Sequence, residues 1–396
     1  METSPTNETL RAGAAAPLLE TPLAAMHSRA GAKMGAWLGC AMPDDFGDPA
    51  AEYRFARESV ALIDKNYRAY LTFMGPDRTR YLNAILTNNI KDLEVGQGNV
   101  SLLLNPQGHI LAEIETYAFA DKLFCVSFAM IRERLIEWMD KYIIMDDVTL
   151  TDETERFGTV ALEGPKAAEA VKELTGIDLQ QLSELGGMDA EILRFAQDAG
   201  GSVVGKAAVK GAIPCRVAKR SPGGIAGAEF VAERGNLGEL WQILLETAKR
   251  LGGGPMGYTA LNARRLAQGV PWFGYDFGDK QIPHEAGLEH SHISYTKGCY
   301  TGQEIVERVR SRGHVNRRRV ELVFSGEKVP ETGAVLTLDG QEVGQVTRAA
   351  RIPDPGLPPG ARVVGMGYVR KEGNAMGSTL QWAEGTAVVG RLPQAL

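Results

Sequence analysis

The chain has 396 residues, which is long for a single hydrophobic core and predicts two or three domains. Apolar residues make up 44% of it, and no apolar run approaches the roughly 18 residues of a membrane-spanning helix, so no membrane span is predicted. A net charge of −6 argues against a general affinity for nucleic acid.

The amino-terminal stretch and the cysteines indicate the compartment. We expect residues 1–20 to form a disordered tail rich in Ala, Thr and Pro, and its lack of an apolar core argues against a secretory signal. The cysteines form no Cys-x-x-Cys pair and do not combine with the six histidines at zinc-like spacing. They are Cys40, Cys125, Cys215 and Cys299. The sequence therefore predicts a cytoplasmic protein without a metal site.

The first half of the chain repeats one arrangement of elements. Alternating apolar and polar residues predict a strand at 67–74, and Gly75-Pro76-Asp77 then starts a helix. Further strands are predicted at 100–104, 110–119 and 123–128, followed by a helix at about 130–142. Gly164-Pro165 again stands between a strand and a helix, and this helix ends near Gly176. The repetition predicts a core of two related lobes.

The second half changes from mixed elements to short strands. Strands and loops are predicted at 186–232, an amphipathic helix at 236–251 and another helix at 258–269. Strands follow at 320–324, 334–338, 342–347, 363–368 and 379–382, and Asp339-Gly340 forms a two-residue turn. Short strands of this kind predict a small C-terminal β-barrel.

A cysteine motif lies between these two parts. It consists of Lys297, Gly298, Cys299, Tyr300, Thr301, Gly302, Gln303 and Glu304, with Arg308 in the helical segment that follows. Only a thiolate is a good nucleophile, and nearby positive charge or a helix N-terminus favours the thiolate. The motif therefore predicts a reactive thiol at Cys299; the alternative is an interdomain turn whose cysteine is simply buried.

This motif closely resembles the signature of the YgfZ-like proteins, which are folate-binding relatives of the glycine-cleavage T-protein (an aminomethyltransferase) and are implicated in making or maintaining iron–sulfur clusters. A weaker T-protein-like pattern extends from Thr21 to the C-terminus. The resemblance implies an α+β fold with a multi-lobed folate-binding core (21–315), a C-terminal β-barrel (316–396) and tetrahydrofolate as cofactor. It also implies that Cys299 is the reactive thiol, that Lys297 holds its charge and that the thiol faces the pterin pocket. The remaining motif residues, Gly298, Tyr300, Gly302, Gln303, Glu304 and Arg308, would then shape the loop.

The resemblance also implies three folate-binding residues. Glu229 falls where the family has a glutamate that accepts hydrogen bonds from the pterin ring, and Arg265 matches a family arginine. Where the family has two adjacent aspartates, one of which sits by the folate nitrogens and supports aminomethyl transfer, this chain has Ala112 and Glu113. A carboxylate beside a reacting amine can act as a base, whereas alanine cannot, and Glu113 requires a shift in register to replace the aspartate. This substitution counts against aminomethyltransferase activity.

A basic segment follows Cys299 and is open to three interpretations. Residues 297–319 contain seven Lys or Arg residues and two acids. The segment could be a solvated linker, an anion site for the glutamate tail of folate, since arginine suits carboxylates, or a nucleic-acid patch. The acidic chain and the lack of interleaved aromatic residues argue against the last.

Three functions remain open on the sequence alone. The leading hypothesis is a tetrahydrofolate-binding protein that supports iron–sulfur cluster assembly or repair through Cys299, with cluster-assembly proteins as candidate partners. The alternative is a folate-dependent transferase of aminomethyl or methyl groups. The third is a scaffold that keeps the fold without using the pocket.

Overall fold

The structure, a computed structural model, describes residues 17–197, 203–354, 356–357 and 362–391, without the side chains at 194–197, 203–210 and 312. The helices are α1 (Ala24–Arg29), α2 (Pro49–Glu58), α3 (Arg78–Ile85), α4 (Arg132–Asp140), α5 (Ala167–Thr175), α6 (Leu237–Arg250), α7 (Tyr258–Ala267), α8 (Pro283–Ala286) and α9 (Gln303–Arg312). The strands are β1 (Leu19–Glu20), β2 (Lys33–Trp37), β3 (Cys40–Asp45), β4 (Ala61–Asp64), β5 (Arg68–Met74), β6 (Gly98–Leu104), β7 (Ile110–Ala118), β8 (Leu123–Phe128), β9 (Thr149–Asp152), β10 (Phe157–Glu163), β11 (Gly187–Gln197), β12 (Val203–Lys219), β13 (Gly227–Glu233), β14 (Gly254–Pro255), β15 (Arg317–Phe324), β16 (Val335–Leu338), β17 (Gln341–Arg351), β18 (Val363–Arg370), β19 (Thr379–Trp382) and β20 (Gly385–Val389).

The first lobe is a five-stranded antiparallel sheet in the order β6-β7-β8-β5-β9. Apolar side chains on one face of this sheet, such as Leu103, Ile114 and Phe73, form a core with Leu82 of α3 and Val306 of α9. Burial of these alternate positions explains why the period-two pattern of the sequence predicts strands here. The opposite face of the sheet turns towards the second lobe.

The second lobe is a six-stranded sheet in the order β11-β12-β13-β10-β4-β14. Its core contains Leu162 and Phe230 from the sheet and Leu240, Trp241 and Leu244 from the amphipathic helix α6. The two sheets meet through a smaller cluster that includes Tyr70, Tyr117 and Phe124. Contacts of this kind fix the two sheets against each other and define the space between them.

The chain passes from the second sheet to the first between β4 and β5. Three residues, 65–67, make this connection, and β4 and β5 belong to different sheets. A short connection between two packed sheets necessarily places its side chains at their interface. The interface therefore holds Lys65 and Tyr67, together with Arg68 at the start of β5.

The repeated strand, Gly-Pro and helix arrangement is present in both lobes. Gly75 follows β5 and Gly164 follows β10, with φ angles of 98° and 140°. Both values lie in a region that side-chain-bearing residues rarely adopt, so glycine is required at both turns. The helices that follow are α3 and α5, and α5 ends at Gly176 in the left-handed conformation, as predicted.

The C-terminal strands form a closed barrel in the order β15-β18-β17-β16-β19-β20. Asp339 and Gly340 have φ angles of 52° and 79°, which are the positive values that the predicted two-residue hairpin turn needs. The barrel is confirmed. Strand β20 was not predicted, and β17 extends four residues beyond the predicted 342–347, to Arg351. The division into a core at 21–315 and a barrel at 316–396 stays a proposal, which the start of β15 at Arg317 supports.

The amino-terminal prediction needs a correction. Most of the expected tail lies outside the described residues, but Leu19 and Glu20 pair in parallel with β3 as the short strand β1. The Leu19 N–H donates to the Gly39 carbonyl over 3.2 Å. Because this pairing uses backbone groups, it requires no particular side chains, and the sequence pattern gave no sign of it. No helix in the described part of the chain is both long and apolar enough to cross a membrane.

Candidate functional site

A cavity of about 80 Å³ lies between the two sheets. Its lining residues are Lys65, Tyr67, Arg68, Glu113, Glu115, Val126, Ser127, Phe128, Arg220, Pro222, Glu229, Val270, Pro271 and Trp272. Three of these side chains are cationic and three are carboxylates, so the lining is balanced in charge. A ligand portion that enters this cavity without a net charge leaves the balance intact.

The buried carboxylate of Glu229 forms one side of the central cavity. Glu229 lies on β13, is 2% exposed and accepts a hydrogen bond of 2.7 Å at Oε1 from Nη2 of Arg68. Its Oε2 lies 2.7 Å from Nη1 of Arg68, yet the alignment does not satisfy a hydrogen bond, and this oxygen has no other donor within the described residues. Burial raises the pKa of Glu229, against the opposing effect of Arg68. One buried oxygen of Glu229 can therefore accept a hydrogen bond from a ligand.

Glu115 lies between two arginines on the same side of the cavity. Arg220 donates through Nε to Oε1 of Glu115 over 3.0 Å, and Tyr117 donates its hydroxyl to Oε2 over 2.9 Å. Arg68 reaches the same carboxylate at 3.3 Å. Burial acts to raise the pKa of Glu115, but the guanidiniums of Arg220 and Arg68 outweigh it and lower the pKa to about 2. Glu115 is thus the charged partner that holds both arginines in place.

Lys65 is anchored by a further buried ion pair. Its ammonium lies 2.9 Å from Oε1 of Glu163, and Arg264 donates to Oε2 of the same carboxylate over 3.2 Å. Burial acts against the charged form of Lys65, yet the attraction of Glu163 raises the pKa of the lysine. Removing one member of such a buried pair leaves an uncompensated charge, so these contacts rigidify the cavity wall.

Aromatic side chains form the other wall. Tyr67 stacks on Phe128 with ring centroids 5.6 Å apart and an interplanar angle of 25°. Trp272 also lines the cavity, and its backbone N–H donates to Oδ2 of Asp276 over 2.9 Å. A wall of this kind suits a flat ring that stacks while its edge binds polar groups.

Arg265 does not line the cavity, contrary to the expectation that it binds folate. Its guanidinium carbon lies 4.3 Å from the centroid of the Trp272 ring, and the group pairs with Asp276 and donates to the Val270 carbonyl over 3.1 Å. Because α7 presents Arg265 to the 270–276 loop, the side chain stands behind the wall and is only 3% exposed. Its observed contacts fix the position of Trp272.

An outer cleft of about 610 Å³ continues from the central cavity, with which it shares five lining residues. The shared residues are Glu113, Arg220, Pro222, Val270 and Pro271. The cleft is also lined by His292, by Arg319 on the first barrel strand and by Arg391 after the last one. It therefore lies where the two lobes meet the barrel.

Glu113 faces the cavity without any shift of register. It pairs with Leu102 across the β6–β7 ladder, and the alternation of β7 puts Glu113 and Glu115 on the cavity face. Ala112 points the other way and is fully buried in the core of the first lobe. The Glu113 carboxylate lies 2.9 Å from Nε2 of His292. Glu113 thus faces the cavity in the observed register, and whether it replaces the family aspartate without a shift stays a prediction.

Lys297 binds backbone carbonyls of the first lobe, and its effect on the charge of Cys299 stays a prediction. Its ammonium donates to the backbone carbonyls of Asn83 and Asn88 over 2.5 Å and 3.1 Å, and also to that of Leu86. These carbonyls lie at and after the C-terminal end of α3, where helix carbonyls lack partners and attract cations. Burial lowers the pKa of Lys297 to about 8. The lysine therefore joins the motif loop to the first lobe.

Cys299 is exposed and is absent from the lining of both the central cavity and the outer cleft. The other three cysteines are free but buried, and burial raises the pKa of each to about 12. The expectation that the Cys299 thiol faces the folate cavity is therefore not met, because Cys299 lies outside the lining of the cavity and of the cleft. Cys299 follows the exposed Gly298, whereas the next residue, Tyr300, packs into the core of the first lobe.

The rest of the motif builds a turn and the start of α9. Gly302 precedes the helix with φ of 82°, and a Cβ there would lie 2.6 Å from the Asn105 carbonyl oxygen. Gln303 and Glu304 form the first turn of α9, and Arg308 pairs with Glu304 over 2.9 Å on the solvent side. These five motif residues lie at the joint between α9 and the β6–β7 loop: Tyr300, Gly302, Gln303, Glu304 and Arg308.

Most of the basic segment is paired with acidic residues. Arg310 contacts Glu307, Arg317 contacts Glu285 and Arg318 contacts Glu289, at 3.5, 2.9 and 3.6 Å. Arg319 is the member of this segment that lines the outer cleft. The segment thus divides into a solvated, ion-paired part and one arginine at the cleft.

Several lining residues were not singled out from the sequence. Arg68, Glu115, Arg220 and His292 come from segments far apart in the chain, and Arg68 and Glu229 are 161 positions apart. One local signal was present, because β7 alternates Ala112, Glu113, Ile114 and Glu115, with the polar phase carrying two carboxylates. Within the described residues no group of three or more His, Cys, Asp or Glu side chains could hold a metal ion.

The fold and the cavity define a class of protein. A rigid, charge-balanced internal cavity with an aromatic wall and an open outer cleft is typical of proteins that bind a polar small molecule carrying a ring.

Comparisons with known proteins agree with this class. The family model for the GCVT N-terminal domain matches residues 23–292, and the chain belongs to this family. An aminomethyltransferase of Herpetosiphon aurantiacus is 29% identical over 340 residues, which cover 85% of this chain and 87% of that protein. One from Streptomyces avermitilis is 26% identical over 352 residues, which cover 88% of each. The matched family region ends before the cysteine motif.

A solved structure confirms the fold. The glycine cleavage system aminomethyltransferase T from Bartonella henselae superposes with a TM-score of 0.80 at 23% identity, covering 95% of this chain and 98% of that one. The α+β class and the T-protein-like architecture with its C-terminal barrel are therefore confirmed. At this identity the likeness establishes the fold alone.

Proposed function

We propose that this protein binds tetrahydrofolate in the central cavity and the outer cleft and transfers an aminomethyl or methyl group onto it. Aminomethyltransferases of this family use tetrahydrofolate. On this proposal the pterin stacks against Trp272 and directs its aminopyrimidine edge to Glu229, while the rest of the cofactor occupies the cleft. Tetrahydrofolate would supply the nitrogen that accepts the one-carbon group.

The observation that carries the proposal is the buried carboxylate of Glu229 in a cavity that Tyr67 and Trp272 also line. Its Oε2 is ion-paired with Arg68 at 2.7 Å but makes no hydrogen bond of good geometry within the described residues, so a lone pair is left for a ligand. A carboxylate can accept two parallel N–H bonds from an aminopyrimidine. The balanced lining also favours a ring without net charge over a phosphate or a metal ion.

The reacting side of the site is supported by Glu113. It lies at the boundary of the cavity and the cleft, where it can exchange a proton with a bound amine. This placement favours one-carbon transfer over a protein that only stores the cofactor.

The first test is calorimetric binding of tetrahydrofolate to the full chain. Glu229→Gln replaces one acceptor by a donor, and we expect at least a tenfold weaker affinity, since hydrogen bonds to charged groups contribute about 1.5–3 kcal/mol. Glu233→Gln, at an exposed position on the same strand, serves as the control. Unchanged affinity in Glu229→Gln with an unchanged melting temperature would contradict the proposed binding mode.

The second test is turnover. Tetrahydrofolate is mixed with aminomethyl or methylamine-type donors, and formation of one-carbon folate is followed. Measurable transfer that is lost in Glu113→Ala supports the transferase, whereas tight binding without any transfer refutes it.

A second candidate function is supported by the exposed thiol. The motif around Cys299 resembles that of YgfZ-like proteins, and Cys299 is accessible while the other cysteines are buried. We propose as the second candidate that the protein, with folate bound, supports iron–sulfur cluster assembly or repair through Cys299, with cluster-assembly proteins as partners.

The Cys299→Ala variant separates the two functions. One-carbon transfer that is unaffected by this substitution favours the transferase. Loss of iron–sulfur enzyme activity in cells that carry only Cys299→Ala, with folate binding intact, favours the second candidate. Both results together would assign two functions to one fold.

A further inference from the structure

Three polar side chains form a continuous chain from solvent to the cavity. The hydroxyl of Ser291 lies 2.7 Å from Nδ1 of His292, and Nε2 of His292 lies 2.9 Å from Oε1 of Glu113. All three residues line the outer cleft, and Glu113 also lines the central cavity. Ser291 is exposed, whereas the His292 side chain is 10% exposed and that of Glu113 is 18% exposed.

The backbone holds each member in position. Thr87, which is fully buried, donates its hydroxyl to the His292 carbonyl over 2.6 Å, and its own carbonyl accepts the N–H of Ser294 over 3.1 Å. The Glu113 carbonyl accepts the Ser127 hydroxyl over 2.8 Å. The three hydrogen-bonded side chains are therefore carried by two packed segments of backbone, so their geometry does not depend on a loose surface contact.

The partners assign the hydrogen positions. A carboxylate only accepts hydrogen bonds, so Nε2 of His292 carries the proton towards Glu113. Nδ1 of the neutral ring then has a lone pair and accepts the hydroxyl hydrogen of Ser291. Every donor in this arrangement points towards the cavity.

We propose that His292 is a positioning residue for Glu113 and that Ser291, His292 and Glu113 form a relay that passes protons from solvent to the folate cavity. The inference rests on the proposed function and adds a residue pair to it. It implies that the donor releases an amine, because a departing amine needs a proton.

The proton balance is as follows. Glu113 starts as the carboxylate that faces the Nε2 proton of His292. As the nitrogen of tetrahydrofolate bonds to the donor carbon, the carbon–nitrogen bond of the donor breaks and its electron pair stays on the departing nitrogen. Nε2 of His292 passes its proton to Glu113, Glu113 passes one on to the departing nitrogen and is a carboxylate again, and Nδ1 takes the hydroxyl proton of Ser291, which takes one from water. The hydroxide left in solvent takes up the proton that the folate nitrogen loses. The ring returns to its resting Nε2–H form by losing the Nδ1 proton through Ser291 to solvent and taking a proton at Nε2 from water in the cavity, so protons and charge balance and no electrons are exchanged. General acid catalysis of this kind contributes typically 10²–10⁴-fold.

The first experiment examines the ring directly. Nitrogen-15 spectra of the full chain, labelled at histidine, are recorded with and without tetrahydrofolate, and His292→Asn assigns the signal. We expect a ring protonated at Nε2 and unprotonated at Nδ1, whose signals move when tetrahydrofolate is added. The exposed His290, 91% exposed at its side chain, supplies a signal that stays in place. A ring protonated at Nδ1, or signals that ignore bound tetrahydrofolate, would overturn the relay.

The second experiment examines turnover. In His292→Asn we expect about a 10²-fold loss of transfer with the affinity for tetrahydrofolate within about threefold, and partial recovery when imidazole is added to the buffer. His290→Asn, two residues away, keeps the wild-type rate. A parallel loss of affinity and turnover would make His292 a structural residue, and full turnover in His292→Asn would likewise refute the proposal.

The two inferences fail in different ways. If the wild-type chain binds tetrahydrofolate but transfers nothing, the transferase function fails, and the spectra still decide whether the relay exists. If transfer is normal but the tautomer is the opposite one, the transferase stands and the relay fails.

Discussion

Glu115 is buried between Arg68 and Arg220, and this environment makes it a pH-sensitive contributor to stability. The two arginines lower its pKa from an ordinary 4.5 to about 2 despite its burial. A carboxylate whose pKa falls on folding stabilises the folded state above the unfolded pKa, and this stabilisation is lost as the pH falls towards the folded pKa. The relevant window is therefore between pH 4.5 and about 2.

We predict that Glu115→Gln lowers the free energy of unfolding at pH 7 by a few kcal/mol, on the order of 3. The difference between variant and wild type should shrink as the pH falls from 4.5 towards 2, because the wild type then loses its charge as well. Denaturant unfolding at pH 7, 5 and 3 measures this. Glu191→Gln, at an exposed position on β11, is the control. A difference that stays constant over the whole range would show that packing, and not charge, is lost.

Single residues of the site could be predicted only where a known family motif assigns them a role. Glu229 and Glu113 were found through the family resemblance, and both line the cavity. Arg68 was not found, because its sequence neighbours show only the polar phase of a strand, and its partners come from β7 and β13. Arg265 was found through the resemblance but expected in the wrong place. A match in sequence does not show whether an arginine points into the cavity or, as here, packs behind Trp272.

At the scale of elements, the cysteine motif is a joint between α9 and the first lobe. Gly302 lies before α9 at φ of 82° and packs against the backbone of Asn105, and Lys297 satisfies the carbonyls at the end of α3. The motif glycine and lysine therefore have structural roles in the described part of the chain, whatever chemistry Cys299 performs.

We predict that Gly302→Ala lowers the free energy of unfolding by about 1–3 kcal/mol, because the substituted residue needs a left-handed backbone and meets the Asn105 carbonyl oxygen. Gly298→Ala is the matched control in the same motif, since its Cβ would meet nothing within 4 Å and its φ is not positive. Thermal or denaturant unfolding of the three proteins measures the effect. Equal stabilities for both variants would contradict the structural role of Gly302.

Secondary structure was largely predictable because most elements bury one face. The period-two pattern identified β5, β7 and β8, and the period of α6 identified its buried face with Leu240, Trp241 and Leu244. β20 was missed because its five residues, Gly385–Val389, form a short segment whose pairing is set by β15 and β19 at a distance. Pairing between distant strands is decided by the closed barrel rather than by local sequence.

At the scale of the whole molecule, the ligand space exists only because lobes and barrel are assembled. The central cavity needs both sheets, and the outer cleft adds Arg319 and Arg391 from the two ends of the barrel. The sequence could predict the lobes and the barrel separately, but not that Arg319 on the first barrel strand and Arg391 after the last one both line the outer cleft. Of the basic segment at 297–319, Arg319 is the residue that lines this cleft, so the interpretation of an anion site for the glutamate tail stays a prediction that can be tested there.

Arg391 offers the sharpest test of that location. Its side chain is 51% exposed, and its guanidinium lies 3.0 Å from Glu321, so its replacement should leave the fold intact. If tetrahydrofolate occupies the cleft with its glutamate tail towards the barrel, we predict that Arg391→Gln weakens binding of the glutamylated cofactor by about fivefold, the loss of about 1 kcal/mol expected for a partly exposed ion pair. Added salt should weaken cofactor binding by the wild type and leave binding by the variant nearly unchanged.

Calorimetry with the cofactor and with a tetrahydropterin that lacks the glutamate tail separates the two effects. Arg370→Gln, at a residue outside the cleft lining, is the control. Equal weakening for both ligands would mean that Arg391 shapes the cleft and does not bind the tail.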